Sequence, residues 1–284
     1  MRMLTGAVAL SIALSSGQVL VLAQIASPNR SGVAMGHLHY LVRDIDLTKR
    51  FWTTLGGTPL KVGDTEAVKF PDALVLLSRG EPSDGTEGSV VNHVAFRVQS
   101  FAALEAAGIK VQRIAQFPGV GSATTPEGER IELFEESAGN MWFMPDSGQE
   151  DPVVQRHNRK LTVPIAAYHV HLYLPESAVA EAKNWYVRTF GAVPGKRWRY
   201  DAADLPGVNL NFSASPRPVA PTRGRRLDHI GFEVENLESF CRKLEAQGVK
   251  LDALYSKGPA GVATARLTDP WGTSIELTEG LRGF

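Results

Sequence analysis

Cysteine is almost absent. Cys241 stands alone among 284 residues, so no intrachain disulfide can form. Its place among Phe240, Leu244 and Val249 on a helical stretch marks it as a packed thiol, and no histidine neighbours it in sequence to make it a nucleophile. Excess charge is absent as well. Lys+Arg and Asp+Glu stand at 30 each, which argues against a nucleic acid or an anionic membrane surface as partner and leaves a small molecule. At the N-terminus, the apolar run from Ala7 to Leu22 lacks basic flanks beyond Arg2 and is interrupted by Ser15, Ser16, Gly17 and Gln18, which argues against a stable membrane anchor. With Val21-Leu22-Ala23 as a small-residue cleavage pattern, residues 1–23 read as a signal peptide, and the mature protein is expected to be exported, to the periplasm or beyond the cell.

Histidine is scarce too, yet strictly placed. His37 and His39 recur 132 positions later as His169 and His171. His93, in Val-Asn-His-Val-Ala-Phe-Arg-Val, matches His229, in Leu-Asp-His-Ile-Gly-Phe-Glu-Val, and Glu132 and Glu276 each lie in an Ile-Glu-Leu strand. The turn before each glutamate repeats as Pro126-Glu127-Gly128 and Pro270-Trp271-Gly272. Six of the seven histidines therefore fall in matched pairs, and the chain reads as a duplication. Histidine and carboxylate drawn from separate strands are metal-ligand chemistry.

The periodicity supports this division. Gly36 to Val42 alternates as a strand, Asp46 to Leu55 reads as an amphipathic helix closed by Gly56-Gly57, and short strands such as Ala73 to Leu77 follow. A second β-α-β-β-β unit opens at Asn92, passes a helix from Phe101 closed by Gly108, and ends at Phe134. Residues 137–163, rich in Gly, Asp, Pro, Gln and Asn, read as a linker that carries the unpaired His157. The plan then repeats, with a strand at Tyr168 to Leu174, a helix from Ala178 to Phe190 closed by Gly191, and a last unit from Asp228 to Glu279. Strand alternation puts His37 and His39 on one face and Leu38 and Tyr40 on the other; Ile230 and Phe232 leave His229 on the non-core face, as Ile275 and Leu277 leave Glu276. Such a face is costly to bury unless protons, hydrogen bonds or a metal compensate.

On the His-bearing opening strands, the aromatic-rich helices ending in Leu-Gly or Phe-Gly, and the Pro-x-Gly-x-x-Ile-Glu-Leu endings, the chain resembles the vicinal oxygen chelate superfamily of glyoxalases, extradiol dioxygenases and bleomycin-resistance proteins over residues 35 to 280. The resemblance implies an α+β fold with four βαβββ modules paired into two U-shaped half-barrel domains, residues 34–136 and 164–280. It implies a divalent metal, Fe(II), Mn(II) or Zn(II), held by His169, His229 and Glu276 in the C-terminal half and by His37, His93 and Glu132 in the N-terminal half. His171, Tyr173 and His39 then stand as proton-transfer candidates, and Asn211, Arg266 and Trp198 as substrate contacts. The chain departs from the pattern where Asn211 and Val75 replace a fourth carboxylate, and where Arg266 replaces the tyrosine of ring-cleaving relatives. The implied function is a metal-dependent enzyme acting on a small substrate with adjacent oxygens through a dioxygenase-like site. A glyoxalase-type lyase or isomerase is the alternative within enzymes. A non-catalytic binding protein using Trp198, Arg199, Tyr200 and Trp271 is the alternative outside them. A homodimer is the assembly compatible with this reading.

Overall fold

The computed structural model describes residues 24–136, 138, 143–151, 160–258 and 260–284; the expected export segment and His157 lie outside the described residues. Four βαβββ modules follow one another. The first holds β1 (Val33–Val42), α1 (Ile45–Thr54), β2 (Thr58–Val62), β3 (Thr65–Phe70) and β4 (Ala73–Arg79). The second holds β5 (Val91–Val98), α2 (Phe101–Ala106), β6 (Gln112–Arg113), β7 (Val120–Thr124) and β8 (Arg130–Glu135). After a short β9 (Phe143–Pro145), the third holds β10 (Ile165–Leu174), α3 (Val179–Phe190), β11 (Val193–Arg197), β12 (Tyr200–Leu205) and β13 (Val208–Ala214). The fourth holds β14 (Leu227–Val234), α4 (Leu237–Ala246), β15 (Leu251–Lys257), β16 (Ala263–Thr268) and β17 (Ser274–Glu279).

The modules do not pair within the halves, so the expected domains 34–136 and 164–280 are not the packed units. One sheet runs β15-β16-β17-β14-β1-β4-β3-β2 and joins the first module to the fourth; the other runs β6-β7-β8-β5-β10-β13-β12-β11-β9 and joins the second to the third. The seams are antiparallel, β1 against β14 with His39 opposite His229, and β5 against β10 with His93 opposite His171. In a duplicated chain β1 and β10 offer near-equivalent edges, so side-chain pattern does not choose between them.

Local chemistry accounts for the elements. Asp44 caps α1 by accepting the Leu47 amide at 2.8 Å, and Ser100 caps α2 from Ala103. α3 ends at Gly191, whose φ of 69° is the left-handed conformation a helix terminus asks of glycine, and a Cβ there would strike Ser31. The core lies between the two sheets. Trp52 of α1 meets Phe96 of the other sheet at 5.6 Å between ring centroids, and Phe190 of α3 meets Phe232 at 4.8 Å. Leu38, Tyr40, Val170, Leu172, Ile230 and Ile275 all join this single apolar cluster. The alternating histidines and glutamates are thereby turned to the opposite face of each sheet.

The expected linker contributes structure of its own. Phe143–Pro145 adds an edge strand to β11, with Phe143 opposite Arg197. Among the described residues no helix is long and apolar enough to cross a membrane.

Candidate metal centres

In the second-to-third-module sheet, β5 supplies His93, β10 supplies His169 and His171, and β8 supplies Glu132. Glu132 Oε2 lies 3.0 Å from His93 Nε2 and 3.2 Å from His169 Nε2, and the two Nε2 atoms are 3.4 Å apart. Donors that bind one ion at ~2.1 Å lie about 3.0 to 3.4 Å from each other, so this triangle has the dimensions of one face of a coordination sphere. The buried His169 Nδ1 and Asn211 Oδ1 have no hydrogen-bond partner among the described residues. Burial pushes the His169 imidazole down to about 4 and takes His171 well below its ordinary range, which keeps both neutral and able to donate a lone pair. Burial also pushes the Glu132 carboxyl up, but hydrogen bonds with His169 and His93 outweigh it and hold the group well below the usual carboxylate range.

These groups line a cavity of about 190 Å³. Asn211 and Tyr173 stand on its wall with His171, whose Nε2 is hydrogen-bonded with Ser213 Oγ at 2.8 Å. Its mouth is aromatic: Phe117 meets Trp198 at 5.5 Å, and Trp198 meets Tyr200 at 5.8 Å. Trp198 holds a backbone φ of 51°, rare for so bulky a residue, in the two-residue turn between β11 and β12.

The first-to-fourth-module sheet carries the counterpart. Glu276 Oε2 lies 3.2 Å from His37 Nε2 and 3.6 Å from His229 Nε2, while His39 Nε2 is hydrogen-bonded with Ser78 Oγ at 2.8 Å. Burial pushes His39 down to about 3 and also lowers His37. His229 moves the other way: burial lowers it, but the hydrogen bond with Asp228 and the nearby Glu276 carboxylate win and raise it. Arg266 clamps the remaining oxygen, Glu276 Oε1, with Nε and a terminal nitrogen both at 2.8 Å. His37, His39 and His229 form one cluster with metal-ligand spacing, and His93, His169 and His171 form the other.

Residues 169–277 match the Glyoxalase/Bleomycin resistance protein/Dioxygenase superfamily. The fold match is wider: glyoxalase I from Zea mays is similar at 16% identity and a TM-score of 0.60, covering 88% of this chain and 94% of that one. A point mutant of the maize enzyme gives 14% identity and a TM-score of 0.61 over 89% and 95%. A putative dioxygenase from Bacillus subtilis gives 12% identity and a TM-score of 0.61 over 90% and 86%. No curated protein matches the sequence.

The structure groups the residues differently from what the superfamily pattern implied. The set His169, His229 and Glu276 is not formed, nor is His37, His93 and Glu132; the cross-half pairing exchanges one member of each, so His169 joins His93 and Glu132 while His37 joins His229 and Glu276. Tyr173, Asn211 and Trp198 lie at the cavity with His171. His39 and Arg266 lie at the other centre, and Trp271 packs towards Trp185, at 6.3 Å between centroids, on the core side. The register opposite His39 is held by Leu76, whereas Val75 is a core residue. Sequence reading missed Ser78 and Ser213, although both sit where strand alternation returns to the histidine face. It also missed Arg130, whose guanidinium donates to Asn92 Oδ1 at 3.2 Å beside His93, and the residues preceding the ligands, Asn92 and Asp228. Their signal was visible in the repeated x-His motifs, as an amide in one copy and a carboxylate in the other.

Proposed function

We propose that the chain is a metal-dependent enzyme acting on a small substrate with two adjacent oxygens, and that it works at the His93, His169 and Glu132 centre. The observation that carries this is the coordination-sized donor triangle opening onto a 190 Å³ cavity. Two histidines and one carboxylate on one face suit Fe(II) or Mn(II) and leave positions for substrate, the arrangement used in oxygenase chemistry. When bound, the ion supplies Lewis acidity that gathers adjacent oxygens and stabilises negative charge on them.

The protein's own groups do the rest. His171, neutral and hydrogen-bonded with Ser213 at Nε2, stands on the cavity wall where exchanging the serine for a substrate hydroxyl would let Nε2 take its proton. Asn211 Oδ1 offers an acceptor to a substrate hydroxyl. Phe117, Trp198 and Tyr200 suit a flat or apolar substrate body and exclude water behind it. A neutral amide at position 211, where a fourth carboxylate would complete a glyoxalase-type shell, favours the dioxygenase-like reading over the lyase one. Residues 1–23 support an exported location by their sequence.

The test combines metal analysis with oxygen uptake on a catechol panel. Bound transition metal with substrate-dependent oxygen consumption supports the reading. Metal with turnover of an α-hydroxycarbonyl compound and no oxygen uptake turns it to the lyase alternative. Less than a tenth of an equivalent of metal after reconstitution removes it, and tight ligand binding that survives His93→Ala moves the chain to the binding proteins.

A further inference from the structure

The two centres share their ligand types and differ in what stands behind them. His229 Nδ1 lies 2.5 Å from the Asp228 carboxylate, and a bond donated by Nδ1–H leaves Nε2 as a lone pair facing Glu276. A carboxylate behind an imidazole fixes its tautomer and raises its basicity as a ligand. At the other centre the same position is Asn92, a neutral amide, 2.8 Å from His93 Nδ1, and the guanidinium of Arg130 also lies 2.8 Å from that nitrogen. The imidazole of His93 is therefore the weaker donor.

The walls differ as well. Leu74 and Leu76 stand in register beside His37 and His39, in an apolar cluster with Ile25, Val262 and Leu281. The matching positions beside His169 and His171 are Asn209 and Asn211. The first wall has no polar side chain at these positions to orient a substrate, and the second does. His37 itself is fully buried with Nδ1 unpartnered among the described residues, and His229 Nε2 is likewise without a hydrogen bond. Arg266 holds Glu276 Oε1 through two contacts of 2.8 Å, whereas Arg130 stands 3.7 Å from Glu132 and 2.8 Å from His93 Nδ1, so at the first centre the guanidinium competes for the carboxylate and at the second for the imidazole.

We propose that the centres have divided their labour: His37, His229 and Glu276 keep a slowly exchanging ion that braces the first module to the fourth, while His93, His169 and Glu132 hold the exchangeable, working ion. This rests on the reading of both clusters as metal sites. Asp228 is a positioning residue here, acting through His229.

The experiment loads the full chain with Zn(II), challenges it with EDTA, counts retained zinc over time and follows thermal unfolding. Two equivalents are expected, one leaving at least about tenfold more slowly, given the 10–100-fold effect of such supporting groups on affinity. His37→Ala should abolish the slow equivalent and His93→Ala the fast one. Asp228→Asn should accelerate the slow release with the fast one unchanged, and the reciprocal Asn92→Asp should retard the fast one, so the idea remains testable should either variant fold poorly. Loss of the slow ion should lower the melting temperature more than loss of the fast ion. Two equivalents leaving at one rate, or a slow ion that belongs to His93, overturns this inference and leaves the proposed function standing. Less than a tenth of an equivalent in the unaltered protein overturns both.

Discussion

The imidazole of His37 occupies the space that a side chain on Gly231 would need. A Cβ at position 231 would lie 2.0 Å from His37 Cε1 and 2.1 Å from Nδ1, and β1 and β14 place the two residues opposite each other. Backbone conformation does not demand this glycine; the ring does. The equivalent position under His169 is Ala95, so the two imidazoles sit differently on otherwise matching strands. Gly231→Ala is expected to destabilise by about 1–3 kcal/mol through overpacking and to weaken metal retention at the His37 centre. Denaturant unfolding with metal counting checks it, and a variant as stable as the parent with full metal content counts against the packing argument.

Glu132 Oε2 stands between two imidazole nitrogens, and its negative charge is what a divalent ion would find there. Glu132→Gln keeps the shape and removes the charge. Bound metal should fall by one equivalent, turnover should be lost, and the fold should survive, as read by elemental analysis and circular dichroism. Retention of both equivalents in this variant excludes Glu132 as a ligand.

Trp198 carries a large ring at a backbone position that suits glycine or asparagine. Holding a bulky residue in the left-handed region costs about 1–2 kcal/mol, so Trp198→Asn should leave stability unchanged or raise it by up to about 1 kcal/mol. If the ring covers bound substrate, KM should rise about 3–10-fold with kcat little altered, the size of an aromatic contact. Steady-state kinetics beside a melting curve separates the two effects.

Asp269 accepts the Trp271 and Thr273 amides and the Tyr186 hydroxyl, the last at 2.9 Å, and so ties α3 of one sheet to the β17 turn of the other. Burial pushes its carboxyl up, against those hydrogen bonds. The native state therefore keeps the proton to higher pH than the unfolded chain, whose aspartate titrates near ~3.9. Between that pH and the raised native value the native state binds more protons, so this group's contribution to stability falls as pH rises. Asp269→Asn should gain stability relative to the parent as pH rises through that window. Urea midpoints of both proteins between pH 4 and about 7 measure the difference; parallel curves contradict it.

Much of the architecture was legible because it rests on periodicity. The faces of His37 and His39, of Ile230 and Phe232, and of Glu276 follow from strand alternation, and the helices closed by Gly108 and Gly191 lie within a residue or two of the expected places. The exchange of modules was not legible, since β1 meeting β14 and β1 meeting β5 would bury similar faces. β9 was missed because three residues carry no period and its strand character comes from pairing with β11 alone. At the sites, the pairing of His93 with Glu132 and of His229 with Glu276 was readable within one module, but which of His37 and His169 meets which glutamate was decided by that same exchange.

Joining the first module to the fourth also sets an order of events. Val33 pairs with Val234, about 200 residues downstream, and during synthesis β1 has β4 on one side and an open edge on the other until β14 is made. The second and third modules can close their seam much earlier. Assembly should therefore run from the middle of the chain outward, with the exposed edge of β1 as the segment most in need of protection from neighbouring chains.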